Sequence, residues 1–246
     1  MLFALLLIVG TFVGFISGFF GIGGGTIIVP IMLALGYNIK TAIGISITQM
    51  LMGAIFGSYM NYKAGLLRLN KGIYLGLGGM SGASLSGYIV ELAPEILLES
   101  ILLATFAFSI FRLYFTTVSE NSSPNTSNLL LFLVGFSVGA IAISIGIGGA
   151  VFITPILVGF LGYEMKKAIS MGVFFVMFAS ISGFISMAYH GHVEYAEGFT
   201  LGIGALLGVY FGTKTTHKTD KKVLKKWFLL LYLVMSSLMI KKIFFS

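Results

Sequence analysis

Two stretches of this sequence offer main chain rather than side chains as their chemistry. GFFGIGGGTIIVP at 18–30 places four glycines among the five residues from Gly21 to Gly25, and ISIGIGGAVFITP at 143–155 repeats the pattern with Gly146, Gly148 and Gly149. Glycine has no Cβ, so another group can approach its backbone closely. A helix starting just after such a run presents unpaired N–H groups and the positive end of its dipole, and both favour an anion. Gly23, Gly24, Gly25 and Thr26 are therefore the expected anion contacts in the first stretch; Gly148, Gly149, Ala150 and Thr154 are those in the second. Pro30 and Pro155 read as structural hinges. Ala150 stands where the first stretch has Gly25, which makes the two half-sites unequal.

Few polar side chains accompany them. Ser46, Thr48 and Gln49 cluster on one apolar run, and the matching positions of the second stretch are Gly172, Phe174 and Phe175, so this polarity is one-sided. Ser46 and Gln49 join the expected site. An amide facing lipid is costly, and that of Gln49 could donate to a bound oxyanion. The hydroxyls of Ser46 and Thr48 could equally return to their own helix carbonyls. Ser17 and Ser144 lie near the breaks with weaker cases. His190, His192 and Glu194 could bind a metal or sense pH, although surface histidines more often do neither. Arg112 sits near the end of its run and is expected to snorkel; Asn61 and Tyr62 read as interfacial.

Absences narrow the chemistry. No Asp, Glu, Lys or Arg falls deep inside a clear apolar run, where proton-coupled pumps usually carry one. No nucleophile–base pair, paired carboxylates or metal cluster is visible, so neither an enzyme nor a cofactor or metal is expected. GIGGGTIIVP has no Lys after its glycines and fails as a nucleotide loop. GLGGMSG at 76–82 loosely suggests a dinucleotide fingerprint but lies within an apolar run.

The elements that must hold these residues follow from composition. The chain has 246 residues, 57% hydrophobic and 9% charged, against about 25% charged in a soluble domain. A membrane-crossing helix needs roughly 20 apolar residues, and several such runs are present. They are apolar on every side, which argues against the alternation of a β-barrel. The net charge of +7 gathers in loops, as a topology and lipid signal rather than a nucleic-acid one. There is no Cys, hence no disulfide or thiol chemistry. The first apolar run lacks a basic start and belongs to a repeat, so it reads as a span and not a leader.

The repeat extends through the chain. Pro30 matches Pro155 at an offset of 125, GYNIKTAI (36–43) matches GYEMKKAI (162–169) at 126, and Gly57, Gly65 and Gly82 then meet Gly183, Gly191 and Gly208. The expected fold is an all-α polytopic membrane protein of two inverted repeats, 1–118 and 129–246, joined by a polar linker at 119–128. Each repeat has about four helices, over 2–20, 41–62, 72–90 and 96–117, then 129–145, 168–189, 198–213 and 227–240. The short runs 26–35 and 151–161 reach only about 15–17 Å as helices, so each is expected to be a glycine-broken half-helix or re-entrant unit. Lys63, Arg68 and Lys71 crowd one loop while its counterpart carries Glu194 and Glu197; Glu91, Glu95 and Glu99 oppose a Lys-rich counterpart at 214–226. Positive loops stay in the cytoplasm, hence the expected inversion; Lys40, Lys241 and Lys242 do not fit it. Gly72/Gly76, Gly78/Gly82, Gly198/Gly202 and Gly204/Gly208/Gly212 are expected to serve close helix packing.

GFISGFFGIGGGTIIVPIMLALGYNIKTAIGIS (14–46) and its echo GAIAISIGIGGAVFITPILVGFLGYEMKKAIS (139–170) resemble the repeated signature of the TauE/SafE sulfite exporter family over nearly the whole chain. The resemblance implies a bacterial or archaeal inner-membrane carrier for anions such as sulfite, sulfoacetate and related organosulfur or carboxylate compounds. It marks Gly23, Gly24, Gly25, Pro30, Gly148, Gly149 and Pro155 as signature positions. The expected partners are a small anionic substrate and the lipid bilayer, with a homodimer left open and nucleic acid excluded. A non-transporting membrane scaffold or subunit, or an anion channel, is the alternative.

Overall fold

The computed structural model describes residues 2–67, 69–115 and 126–245. Arg68, linker residues 119–125 and the side chain of Arg112 lie outside the described residues.

Eleven helices and no strand occur among the described residues: α1 Leu2–Phe20, α2 Gly25–Ala34, α3 Ile39–Lys63, α4 Leu69–Ala83, α5 Ser86–Leu92, α6 Glu95–Phe115, α7 Asn128–Ser144, α8 Ala150–Gly159, α9 Met165–Tyr189, α10 Tyr195–Lys218 and α11 Lys221–Phe245. By length and composition α1, α3 and α9 are long and apolar enough to cross a membrane. The outer surface carries large apolar side chains such as Phe3, Ile8, Phe12, Leu129, Ile203 and Leu207. With no charge to solvate it, such a surface suits hydrocarbon rather than water.

Small residues set the helix pairing. A methyl group on Gly10, Gly14 or Gly18 of α1 would strike the backbone of Leu201, Ala205 or Val209 in α10. One on Gly204, Gly208 or Gly212 would strike Leu7, Thr11 or Phe15 in return. Both series rise together, so α1 and α10 run parallel with their backbones in contact, as small-residue faces permit in lipid. The same zipper joins α7 to α4: Gly135 and Gly139 meet Leu75 and Gly79, while Gly78 and Gly82 meet Phe132 and Phe136. Gly72 and Gly76 accommodate the rings of Phe174 and Phe178, and Gly198 and Gly202 accommodate Thr48 and Met52. The expected packing role therefore fits these glycines.

The main helix contacts have counterparts at the repeat offset. α3 packs on α10 and α9 on α4; α3 meets α9 in the centre; α6 and α11 pair, with α6 also against α8 and α11 against α2. Lys40 Nζ, at the start of α3, donates to Glu91 O at the end of α5 (3.0 Å), and Lys166 Nζ, at the start of α9, donates to His217 O at the end of α10 (2.8 Å). These lysines tie the ends of two antiparallel hairpins.

One expected element is corrected. The run 72–90 is not a single span but α4 and α5, interrupted at Ser84–Leu85. The cause comes from α9. Ser186 Oγ donates to Ser84 O (2.8 Å) and accepts from Gly87 N (3.0 Å), which places a side chain inside the helical ladder. The counterpart, α10, continues without a break.

Candidate anion-binding site

The glycine stretches are breaks in the structure as well as in the pattern. Gly21, Gly23 and Gly24 have φ of 67°, 83° and 80°; Gly146, Gly148 and Gly149 have 73°, 75° and 78°. A side chain is strained in this left-handed region, so the repeated glycines encode one repeated backbone shape. Gly24 and Gly149 are the N-caps of α2 and α8, and neither helix start has a side-chain cap. Ile27 N–H and Phe152 N–H are the first to fold back, onto Gly24 O and Gly149 O, each at 3.0 Å. The amides of Gly25 and Thr26, and of Ala150 and Val151, precede that ladder, and all four residues are buried. Pro30 and Pro155 lie inside α2 and α8, which continue across them. Lacking N–H groups, they leave the carbonyls of Thr26 and Val151 without the usual helical donor.

The two breaks meet. A methyl on Gly25 would strike the carbonyl oxygen of Gly146 and lie 2.7 Å from Ser46 Oγ. Ser46 Oγ donates to that same carbonyl at 2.6 Å, so its proton bridges the halves. Met50 Sδ and Val176, which match one another at the offset of 126, each face both Gly23 and Gly148. Gln49 is fully buried at this junction. Its Oε1 lies 2.5 Å from where a Gly24 methyl would sit, and neither atom of its amide has a hydrogen-bond partner.

The remaining expected residues fall into place around this centre. Thr26 is fully buried with its hydroxyl unpartnered. So is Thr154, which sits with Ala150 against Gly172 in the second half. Thr48 and Ser144 are satisfied within their own helices, by Gly44 O (2.9 Å) and Ala140 O (2.7 Å). Ser17 lines a narrow cavity with Gly18, Gly23, Gly53, Gly57 and Thr213, extending from the break toward the ends of α1 and α3. What converges is a set of buried polar groups without partners: main-chain N–H groups ahead of each helical ladder, the Gln49 carboxamide and the Thr26 hydroxyl. Such a set can hold an oxyanion.

Three participants escape the sequence argument. Gly146 supplies the acceptor for Ser46, and Met50 and Val176 form the contact between breaks. The alignment of Gly146 with Gly21 is a signal for the first; apolar side chains beside Gln49 give none for the others.

The histidines lie elsewhere. His190 Nε2 is 3.4 Å from Glu91 Oε2, and its Nδ1 lies 2.8 Å from Ser186 O; among the described residues no three His, Asp or Glu converge as for a metal. His192, in the turn between α9 and α10, has a buried Nε2 without a partner. Burial lowers its pKa below the ordinary value of 6.5; nearby Lys40 adds to this, Glu91 opposes it and His190 adds slightly. The folded state thus binds this proton less readily than the unfolded chain. The contribution of His192 is undiminished above pH 6.5 and is lost as pH falls below it. The melting temperature of the purified protein is expected to drop from pH 7 to pH 5, and His192→Gln to flatten part of that drop; an unchanged pH profile in the variant would exclude His192 as a cause.

Residues 6–239 match the family described as "Sulfite exporter TauE/SafE". The probable membrane transporter protein YdhB of Bacillus subtilis is 27% identical over 90% of this chain and 93% of its own. A probable membrane transporter protein of Haemophilus influenzae is 26% identical over 94% and 96%, and one of Methanocaldococcus jannaschii 25% identical over 92% and 89%. No solved structure matches the chain. A profile match across nearly all of the helical bundle, glycine breaks included, leaves one assignment: this membrane protein belongs to the sulfite exporter TauE/SafE family of transporters.

Proposed function

We propose that this chain is a multi-pass carrier of the cytoplasmic membrane that moves small anions by alternating access. Sulfite, organosulfonates and related organosulfur or carboxylate compounds are its candidate substrates. The observation that carries this is the meeting of two buried glycine breaks, each leading into an uncapped helix start, with a partnerless carboxamide standing over the first. Unsatisfied donors in a buried interior are costly, and a bound anion would satisfy them together.

The two repeats are inverted in this scheme. α3 runs with α10: Thr48 meets Gly198, Met52 meets Gly202 and Asn61 meets His217. α9 and α10 form an antiparallel hairpin tied by Lys166. Equivalent helices α3 and α9 therefore run oppositely, which supports an axis in the membrane plane. Lys63, Lys166, Lys167, Lys214 and Lys218, with Glu164 paired to Lys167, then share one end of the bundle, and Glu91, Glu95, Glu194 and Glu197, with Lys40 bonded to Glu91 O, the other. The basic end is the cytoplasmic one by the positive-inside rule. Rocking of the halves about the central breaks would expose the site to each side in turn. The membrane potential favours export of an anion by about 2.3 kcal/mol per charge per 100 mV.

The test is flux in proteoliposomes. Radiolabelled sulfite, sulfonates and carboxylates are offered with and without unlabelled anion inside. Saturable uptake that accelerates with internal anion is the expected result. Uptake without saturation or counterflow would mean a channel, and the absence of both flux and thermal stabilisation by every anion would leave a scaffold.

A further inference from the structure

At equivalent positions of the two repeats the chain places unlike groups. Gln49 and Phe175 match at the offset of 126. Each stands over the left-handed glycine that starts its half-helix. Gln49 Oε1 lies 2.5 Å from the position of a Gly24 methyl, and Phe175 Cε1 lies 2.5 Å from that of a Gly149 methyl. Both side chains are fully buried. One half-site thus ends in an unpartnered amide and the other in an aromatic ring, with Met50 and Val176 between the breaks.

The neighbouring positions deepen the difference. Ser46 and Thr26 correspond to Gly172 and Val151, so the first half carries two hydroxyls beside its helix start where the second has the single unpartnered hydroxyl of Thr154. Gly18, on the narrow cavity beside the first break, corresponds to Ile143, whose Cγ2 lies 2.5 Å from a methyl on Gly183. Among the described residues, a narrow cavity reaches the first break at Ser17 and Gly23.

We propose that Gln49 and Phe175 divide the site between them. The α2 start and Gln49 take the charged head of the substrate, and Phe175 with Met50 and Val176 receives a hydrocarbon group attached to it. The preferred cargo is then an organic anion with a compact oxyanion head and an apolar tail, and not a bare inorganic oxyanion. This rests on the carrier reading above. A bare oxyanion gains nothing from an aromatic wall that cannot donate to it. A hydrocarbon tail gains about fourfold in affinity for each methylene removed from water. Phe175 is in this sense a specificity-determining residue.

The test measures dissociation constants of sulfite, methanesulfonate and benzenesulfonate on the full-length protein in detergent, by ligand-dependent melting and by competition. The variants are Phe175→Gln, Phe175→Leu and Gln49→Ala. The wild-type protein is expected to bind benzenesulfonate at least about tenfold more tightly than sulfite. Phe175→Leu keeps that order because its side chain remains apolar, which also guards against Phe175→Gln failing to fold. Phe175→Gln removes or reverses it, whereas Gln49→Ala weakens all three ligands alike. Equal wild-type affinity for sulfite and benzenesulfonate, or equal losses for all ligands in Phe175→Gln, would overturn the division while leaving an anion carrier intact. Failure of the wild-type protein to bind any of the three would overturn both proposals.

Discussion

Gln49→Met is expected to make the protein more stable and to weaken its binding of anions at least about tenfold. The two effects have one cause. The Gln49 amide is fully buried and both its polar atoms lack partners. Leaving a buried polar group unpaired costs about 1–3 kcal/mol, and methionine of similar shape has no such group. The unliganded variant should therefore melt higher than the wild type. A hydrogen bond to a charged group contributes about 1.5–3 kcal/mol, so its loss should weaken an anion by about ten- to a hundredfold. Core residues placed only for packing do not behave this way. Thermal melting with and without ligand, together with proteoliposome uptake, reads both effects. A variant that melts lower, or that transports normally, would show Gln49 to be structural. The exchange of stability for function is what a site held open for a ligand predicts.

The features legible in the sequence are those whose causes are local. Three clustered glycines per repeat require positive φ, and the structure has it at Gly21, Gly23, Gly24, Gly146, Gly148 and Gly149. Apolar runs end where turn residues begin, so the expected half-helices at 26–35 and 151–161 differ by only a residue or two from α2 and α8. Features caused by distant residues left no such trace. The interruption between α4 and α5 depends on Ser186, a hundred positions away, and the apolar pattern of 72–90 is continuous across it. Ser46 looked like a ligand or a self-satisfied helix serine. Its actual partner, the Gly146 carbonyl, belongs to the other half and becomes visible only when the breaks are brought together. Met50 and Val176 carry no chemical signal at all, because an apolar side chain reads the same in a core as at a junction.

The meeting of the breaks itself makes the last and most severe expectation. Gly25→Ala should cost more than any change at its counterpart, although both positions start a half-helix. Gly25 is not among the glycines with positive φ, so the backbone accepts alanine without strain. The obstacle is space: the new methyl would strike Gly146 O and crowd Ser46 Oγ and Met50 Sδ. Two of these belong to flexible side chains, but the carbonyl is fixed by the left-handed turn around it. The breaks must separate, and the Ser46–Gly146 hydrogen bond must lengthen with them. Overpacking of this kind costs about 1–3 kcal/mol, and transport should fall to background because the half-sites no longer converge. Ala150, by contrast, already carries the methyl, and the Gly172 opposite it provides room. Ala150→Gly should cost about 1 kcal/mol and leave transport in place. Adding Ser46→Gly to Gly25→Ala recreates the second half's pairing of alanine with glycine. That relieves the crowding at Ser46 but not at Gly146, so the double variant should remain inactive. Full rescue by Ser46→Gly would mean that the side chain, and not the approach of the two main chains, sets the spacing of the site.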